Sequence, residues 1–381
     1  MENQIQVNAS NHLEIGGCDA LQLAQQYGTP LMVYDVSKIR NRIHEFKDTF
    51  EKQDVKYAIS YASKAFASIA IFQVMAHEGC HIDVVSGGEL YTALKAKFPT
   101  EKISFHGNNK SFTELEMAVK NNVGMIILDN FHEIELLTSI LKKRNQQINV
   151  MLRVTPGISA HTHEYIQTGQ EDRKFGFDIQ SVQATKAFQQ VHENQFLNLK
   201  GIHAHIGSQI FEDQGFKEVV KILIQLAQKW RKKFNVTLPI INVGGGFGIQ
   251  YVKEDHPLDP EIFIKAIVKQ VKEECDHADY PFPEIWIEPG RSLVGDAGYT
   301  LYSVGSRKNL NHYHSYVTVD GGMGDNIRPA LYGSKYTAIL ARDPLAAPQE
   351  VVRLAGKYCE SGDILIQNLP LPKTPYEHSY L

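Results

Sequence analysis

The sequence predicts an α/β protein: a (β/α)8 TIM-like barrel with a C-terminal β-rich domain that also takes in the N-terminal segment. Three observations carry that prediction. Eight short apolar runs, rich in β-branched residues, alternate with longer stretches of helical periodicity. The runs are near-continuously apolar, as parallel strands covered on both faces are. They span about 235 residues, close to the roughly 250 of a barrel, whereas a doubly wound open sheet would use fewer strands.

In chain order the runs are 55–60 (VKYAIS), 81–85 (HIDVV), 102–106 (KISFH), 125–129 (MIILD), 150–155 (VMLRVT), 200–206 (KGIHAHI), 240–243 (IINV) and 284–288 (EIWIE). Between them, Leu90, Ala93, Leu94 and Phe98, and later Val219, Ile222, Leu223 and Leu226, fall near i, i+3, i+4 spacing and mark amphipathic helices. After Gly290 the texture changes. Residues 300–306, 316–320 and 351–355 read as strands without regular helices between them. The first ~30 residues are too few for a domain of their own and are expected to pack on that sheet. The expected division is therefore a barrel over 30–290 and a β-rich domain from 1–29 and 291–381.

Composition narrows the function. The 381 residues carry 39 basic and 43 acidic side chains, a formal charge of −4. Nucleic-acid binding needs a basic face to neutralise phosphate, so that class is excluded, and nothing polybasic suggests a membrane anchor. No stretch approaches the ~20 apolar residues of a membrane span. The start, MENQIQVNASNHLEIGG, is polar and lacks the apolar core of a secretory signal. Cys18, Cys80, Cys275 and Cys359 show no C-x-x-C spacing, which reads as reduced thiols in a cytoplasm.

Barrel active sites lie at the C-terminal ends of the strands, so the residues just past each run carry the chemistry. After the first comes Lys64. A lysine in a barrel mouth is either a snorkelling surface residue or an amine whose pKa falls enough to attack a carbonyl. The sixth run leads into His205-Ile-Gly-Ser208, with His203 two residues earlier and on the same face of a strand. Those two, with His161 and His163, raise a metal site. No H-E-x-x-H spacing or acidic cluster completes one, so no metal is expected, and a flat imidazole stacked on a planar ligand fits as well. After the seventh run, Gly244-Gly245-Gly246 lets backbone approach a ligand and offers N–H groups to phosphate. After the eighth, Glu288-Pro-Gly290-Arg291 puts a carboxylate and a guanidinium on a tight turn. An amine, an imidazole, a glycine turn and a carboxylate on one barrel face match the needs of pyridoxal 5'-phosphate. A carboxylate at the pyridine nitrogen keeps the ring protonated and favours decarboxylation.

These motifs resemble those of the diaminopimelate decarboxylases, in the barrel-type (alanine-racemase-like) group of pyridoxal-phosphate enzymes. The segments are SYASKAF (60–66), HIDVVSGGELYTA (81–93), FHGNNKS (105–111), LRVTPGISAHTHEYIQTGQEDRKFGF (152–177), GIHAHIGSQ (201–209), NVGGGFG (242–248), IEPGRSLVG (287–295), VDGGMGDNIRPALYG (319–333) and CESGD (359–363). They run in order over about 300 residues. Many are shared with ornithine and arginine decarboxylases, while HTHEYIQTG and DNIRPALYG are more specific. The resemblance implies that Lys64 holds the cofactor covalently, that His205 stacks on its ring and that Ser208 contacts ring or phosphate. It also implies that Gly244, Gly245, Gly246, Gly290 and Arg291 cradle the phosphate and that Glu288 pairs with the pyridine nitrogen. Asp83 and Glu89 resemble acids near His205 and Lys64. Arg291, Arg328, Tyr332 and Glu360 resemble the set that holds the far end of the substrate. Cys359 resembles a proton donor supplied by the partner chain of a homodimer.

The implied reaction is decarboxylation of meso-2,6-diaminopimelate to L-lysine, in lysine biosynthesis. The distal carboxylate of that substrate suits guanidinium from Arg291 and Arg328, and its distal ammonium suits Glu360. Alternatives are a decarboxylase of ornithine, arginine or carboxynorspermidine, which Arg328 disfavours, or a cofactor-binding homologue without turnover. The last arises because family members continue several dozen residues past C-E-S-G-D, through a Gly-Ala-Tyr-Gly-Tyr-like segment, whereas here the chain reads LPLPKTPYEHSYL. The β-rich domain is accordingly expected to be short at its C-terminus, and no role passes to Tyr376 or Tyr380. Two smaller departures are Phe66 and Thr155, each in place of a customary asparagine.

Overall fold

The computed structural model describes residues 5–158, 174–310, 314–373 and 379–381. The whole HTHEYIQTG segment, with His161 and His163, and Tyr376 lie outside the described residues. The eight expected runs form eight strands: β1 (Tyr57–Ala62), β2 (His81–Val84), β3 (Ile103–Phe105), β4 (Met125–Leu128), β5 (Ile148–Thr155), β6 (Leu197–His203), β7 (Ile240–Asn242) and β8 (Glu284–Ile287). Each pairs in parallel with the next, and β8 pairs back onto β1 through Ile285↔Tyr57 and Ile287↔Ile59. The sheet therefore closes, which removes both edges.

Local sequence explains the regularity of the connections. Strand is followed by a short loop ending in a capping side chain: Ser68 accepts from Ile71 N–H, Ser86 from Glu89 N–H and Asn130 from Glu133 N–H. Ser111 and Glu114 form a reciprocal capping box ahead of helix Phe112–Lys120. Each cap satisfies a backbone donor that the first helical turn cannot satisfy itself.

Inside the barrel, side chains two residues apart on a strand point the same way. Ala58, Met125, Ile127, Met151, Ile240 and Trp286 pack together although they come from five strands. His81 packs edge-on against Trp286, ring centroids 4.9 Å apart. Two residues further along the same inner faces stand Asp83, Arg153, Asn242 and Glu288. The barrel thus has an apolar plug below and a layer of charged and polar groups above it, toward the C-terminal ends of the strands.

The sixth strand ends earlier than its sequence run. It stops at His203, so His205 lies in the loop that follows and the two histidines do not share a strand face. The reason is Gly207-Ser208-Gln209, where Gly207 and Gln209 both take positive φ (+155° and +62°) and carry the backbone out of the ladder.

The chain divides into two compact units, one of Arg40–Ile249 with His256–Gly295 and one of Met1–Ile39, Gln250–Asp255 and Asp296–Leu381. The second unit is β-rich. Its four-stranded sheet runs β9 (Val304–Lys308), β10 (Ser315–Val319), β11 (Glu350–Ala355), β12 (Ile364–Leu371), with β10 and β11 parallel and the other pairs antiparallel. The expected single strand over 300–306 is two, Gly298–Leu301 and β9, and Gly298–Leu301 pairs with the N-terminal strand Leu31–Tyr34. Leu13, Ile15, Ala20, Leu21 and Ala24 pack with Leu301 and Ala341, so the N-terminal segment does complete the β-rich unit. Among the described residues no helix is long and apolar enough to cross a membrane.

Candidate active site

The upper layer of the barrel is an electrostatic network built from the ends of β2, β3, β6, β7 and β8. Glu288, buried, is its centre. Its Oε1 accepts from Asn242 Nδ2 at 2.6 Å and its Oε2 from His203 Nε2 at 3.0 Å. His106 Nε2 stands 3.3 Å from the same Oε1 and 3.5 Å from Asp83 Oδ1. Asp83 also accepts a short hydrogen bond from Ser60 Oγ. Burial alone would raise the Glu288 pKa, but His203, His106 and His205 outweigh it and hold the carboxyl well below its ordinary range. Asp83 has the opposite fate. Burial, then the Glu288 charge, push it up to about 6. His203 is kept neutral, its pKa brought down to about 4 by burial against the pull of Glu288.

Lys64 sits in a single 3-10 turn, Ser63–Ala65, directly after β1. Tyr61 Oη donates to Phe66 O at 2.8 Å and closes this loop. Lys64 is exposed as a residue, yet the surrounding protein desolvates its amine. Desolvation and then the Arg153 guanidinium lower its pKa, against the pull of Glu288 and Asp83. An ammonium that gives up its proton more easily is a better amine nucleophile. Arg153 itself lies 4.0 Å from Asp129 Oδ2, with its guanidinium 4.4 Å from the Phe175 ring centroid.

His205 Nδ1 accepts from Gly245 N–H at 3.2 Å, and burial, then Lys64, hold its pKa well below the usual value. It is thus a neutral imidazole pinned to the glycine turn. That turn is glycine because three strand ends converge on it. A Cβ on Gly245 would stand 1.9 Å from Glu288 O, and one on Gly246, at φ +106°, would stand 2.3 Å from Gly207 O. The amides of Gly244 and Gly245 are spent on Asn242 Oδ1 and His205 Nδ1, so these two glycines serve close approach and ring orientation. Gly245→Ala is expected to cost about 1–3 kcal/mol of stability and to displace Glu288. Chemical denaturation and cofactor retention on gel filtration would measure both.

Arg291 Nη2 donates to Ser208 Oγ at 3.1 Å, joining the loops after β6 and β8. Lys64, Asp83, His205, Ser208, Gly244, Gly245, Gly246, Glu288, Gly290 and Arg291 thus all lie in the barrel unit, at its strand ends. Glu89, by contrast, accepts from Val85 N–H at 2.6 Å and serves its own loop.

The other residues that the sequence reading expects at the site belong to the β-rich unit. Arg328 begins the one-turn helix Arg328–Tyr332, with its guanidinium 5.1 Å from the Tyr332 ring centroid. Cys359 and Glu360 are exposed on the turn before β12. Buried Asp363 holds that turn, accepting from Tyr358 N–H at 2.9 Å and from Met323 N–H at 2.7 Å. Ser60, His106, Asn242 and Asp129 belong to the barrel network and carry no role in the sequence reading. The available signal was parity, since Asn242 is two residues before Gly244 and His106 is two after Ser104 on an inward-facing register.

This donor set fits pyridoxal phosphate: an amine of lowered pKa, a neutral imidazole, a glycine turn and a buried carboxylate held ionised. Residues 36–295 match the family described as "Pyridoxal-dependent decarboxylase, pyridoxal binding domain". The chain is 54% identical over 367 residues to a diaminopimelate decarboxylase of Bacillus methanolicus, covering 96% of this chain and 85% of that one.

The chain belongs to the diaminopimelate decarboxylase family.

Other members of the family are comparably close. The Staphylococcus aureus enzyme is 45% identical over 99% of this chain and 88% of its own. The crystal structure of the diaminopimelate decarboxylase from M. jannaschii in complex with L-lysine superposes with a TM-score of 0.91 at 32% identity, covering 99% of this chain and 86% of that one. A lysine/ornithine decarboxylase of Vibrio vulnificus, at 17% identity and TM-score 0.77, shares the fold. As a member of the diaminopimelate decarboxylase family the chain is a pyridoxal-phosphate-dependent decarboxylase.

Proposed function

We propose that this chain removes the α-carboxylate of meso-2,6-diaminopimelate as CO2 and leaves L-lysine, within lysine biosynthesis. The observation that supports it best is the buried carboxylate of Glu288, held ionised by Asn242, His203 and His106 in the same barrel mouth as the Lys64 amine. When bound, pyridoxal phosphate supplies an electron sink for the pair released as the bond to the carboxylate breaks. The chain's residues then divide the work. Lys64 offers the amine of lowered pKa that would anchor the cofactor. Glu288, held ionised, would pair with the ring nitrogen and keep a proton there, with Asp83 as its neighbour. His205, a neutral imidazole held by Gly245 N–H, would stack on the ring and exclude water from it. Gly244, Gly245, Gly246, Ser208, Gly290 and Arg291 surround the phosphate.

At the far end of the substrate, Arg291 and Arg328 grip the distal carboxylate, Glu360 meets the distal ammonium and Tyr332 lines the site. The Cys359 thiol of the second subunit delivers a proton to the carbon that lost CO2. This reading makes the protein a cytoplasmic homodimer.

Release of CO2 from meso-diaminopimelate, compared with ornithine and arginine, tests the substrate. Preference for either competitor overturns it. Lys64→Ala is expected to abolish both turnover and the visible absorbance of bound cofactor. Retained absorbance would remove Lys64 from the anchoring role.

A further inference from the structure

Glu288 has one neighbour whose charge the proposed chemistry leaves unexplained. His106 follows β3 and is 6% exposed. Its Nε2 is within 3.3 Å of Glu288 Oε1 and 3.5 Å of Asp83 Oδ1, and its ring meets His203 edge-on, centroids 5.1 Å apart at 77°. Two carboxylates therefore converge on one imidazole nitrogen away from water. Such a pair holds both negative charges only if a cation stands between them. The other groups that face it do not supply that cation. His203 is neutral and donates to Glu288, His205 is neutral and accepts from Gly245 N–H, Asn242 contributes a neutral amide, Arg153 is turned to Asp129 and Phe175, and Lys64, which also feels both carboxylates, is the amine that the cofactor takes up in the proposed chemistry. Burial works against a charged His106, but Glu288 and then Asp83 reverse it and raise its pKa.

We infer that His106 is a positioning residue: as an imidazolium between Asp83 and Glu288 it keeps Glu288 ionised toward the cofactor's ring nitrogen, and leaves Asp83 to take up the first proton on acidification. The inference rests on the reading that Glu288 faces that nitrogen. It separates two jobs within the network. Asn242 and His203 fix where the carboxylate points, and His106 fixes its charge.

The test uses His106→Gln and His106→Asn holoenzymes. Glutamine retains a donor of similar reach but no charge, so a purely structural role would survive. The pH dependence of the cofactor's visible spectrum and of kcat/KM are the readouts. In His106→Gln the acid limb of both is expected to move up by about one pH unit or more, because the two carboxylates then hold a shared proton to higher pH. Adding Asp83→Asn removes the competing carboxylate and is expected to bring the limb back down. An unmoved limb in His106→Gln, or a shift that Asp83→Asn does not relieve, overturns the inference. If His106→Gln holds no cofactor, ring 15N shifts decide. The His106 resonances in the wild-type holoenzyme, identified by their absence from His106→Gln apoprotein, are expected to be those of an imidazolium at pH 8, and a neutral ring overturns the inference. Glu288→Gln keeps the two readings apart. Normal spectrum and turnover in that variant remove the Glu288 reading, whereas an impaired Glu288→Gln beside a silent His106→Gln removes only the role of His106.

Discussion

Glu288→Gln is expected to lower kcat by about 10²- to 10³-fold while the barrel stays folded, a loss typical of removing one preorganised charge or donor from an active site. The side chains are nearly equal in volume, so packing is preserved. What changes is charge and donor count. The wild-type carboxylate accepts from both Asn242 Nδ2 and His203 Nε2. An amide offers one oxygen and points its NH2 at the other donor, so His203 must change tautomer or turn. More importantly, a neutral amide gives the ring nitrogen no reason to keep its proton. Steady-state kcat and the cofactor spectrum read the effect directly. Glu288→Asp, which retains the charge at shorter reach, is expected to lose less. In the wild type the acid limb of kcat/KM belongs to the Asp83–Glu288 pair rather than to Glu288 alone. Asp83 is raised to about 6, so the pair gains a proton as pH falls through that value, and activity falls with it.

Lys110→Met is expected to destabilise the barrel unit by about 3–5 kcal/mol, the cost of leaving a buried partner charge uncompensated. Lys110 and Glu133 are 5% and 2% exposed, and their charged atoms are 2.7 Å apart. The ammonium spends its other two protons on Gly107 O and Ile127 O, both at 2.8 Å. Glu133 Oε2 accepts from Asp129 N–H at 3.0 Å. The pair therefore ties the loop after β3 to the end of β4 and to the first turn of helix Phe131–Arg144. Methionine fills the volume but strands Glu133 and two carbonyls. Thermal unfolding is expected to drop by roughly 6 to 20 °C. Lys110→Met with Glu133→Leu is expected to recover the larger part, because removing both charges leaves only neutral backbone groups unpaired. A double variant no better than the single would show that the hydrogen bonds, rather than the stranded charge, dominate.

The two effects differ in how readable they were. Glu288 is legible because it ends an apolar run and is followed by Pro-Gly, so a charged group must stand at a strand end. Lys110 is not. Its motif, Gly-Asn-Asn-Lys-Ser, reads as a polar loop, and lysine is ordinarily the last side chain to be buried. Only the approach of Glu133 from the next helix makes its burial tolerable. Strand limits show the same division. All eight runs became strands, since a run buried on both faces has one stable arrangement. The end of β6 was misread by three residues, because the apolar alternation of Ala204 and Ile206 continues past His203, where the ladder ends, as far as Gly207, where the backbone turns.

Taken alone, the sequence determined that a barrel forms, which residues stand at its strand ends and that a lysine, a neutral-capable histidine, a glycine turn and a carboxylate share one face. These follow from periodicity and from rules local to a few residues. The tertiary structure alone decided which of those groups touch and in what ionisation state. Barrel closure brings β8 against β1 and carries Glu288 to Asn242, His203 and His106 from three other strands, and no local pattern encodes that register. Charge follows from contact. Buried side by side, Asp83 and Glu288 are chemically alike in the sequence, and they part in acidity because one faces three imidazoles and the other faces its neighbour's negative charge.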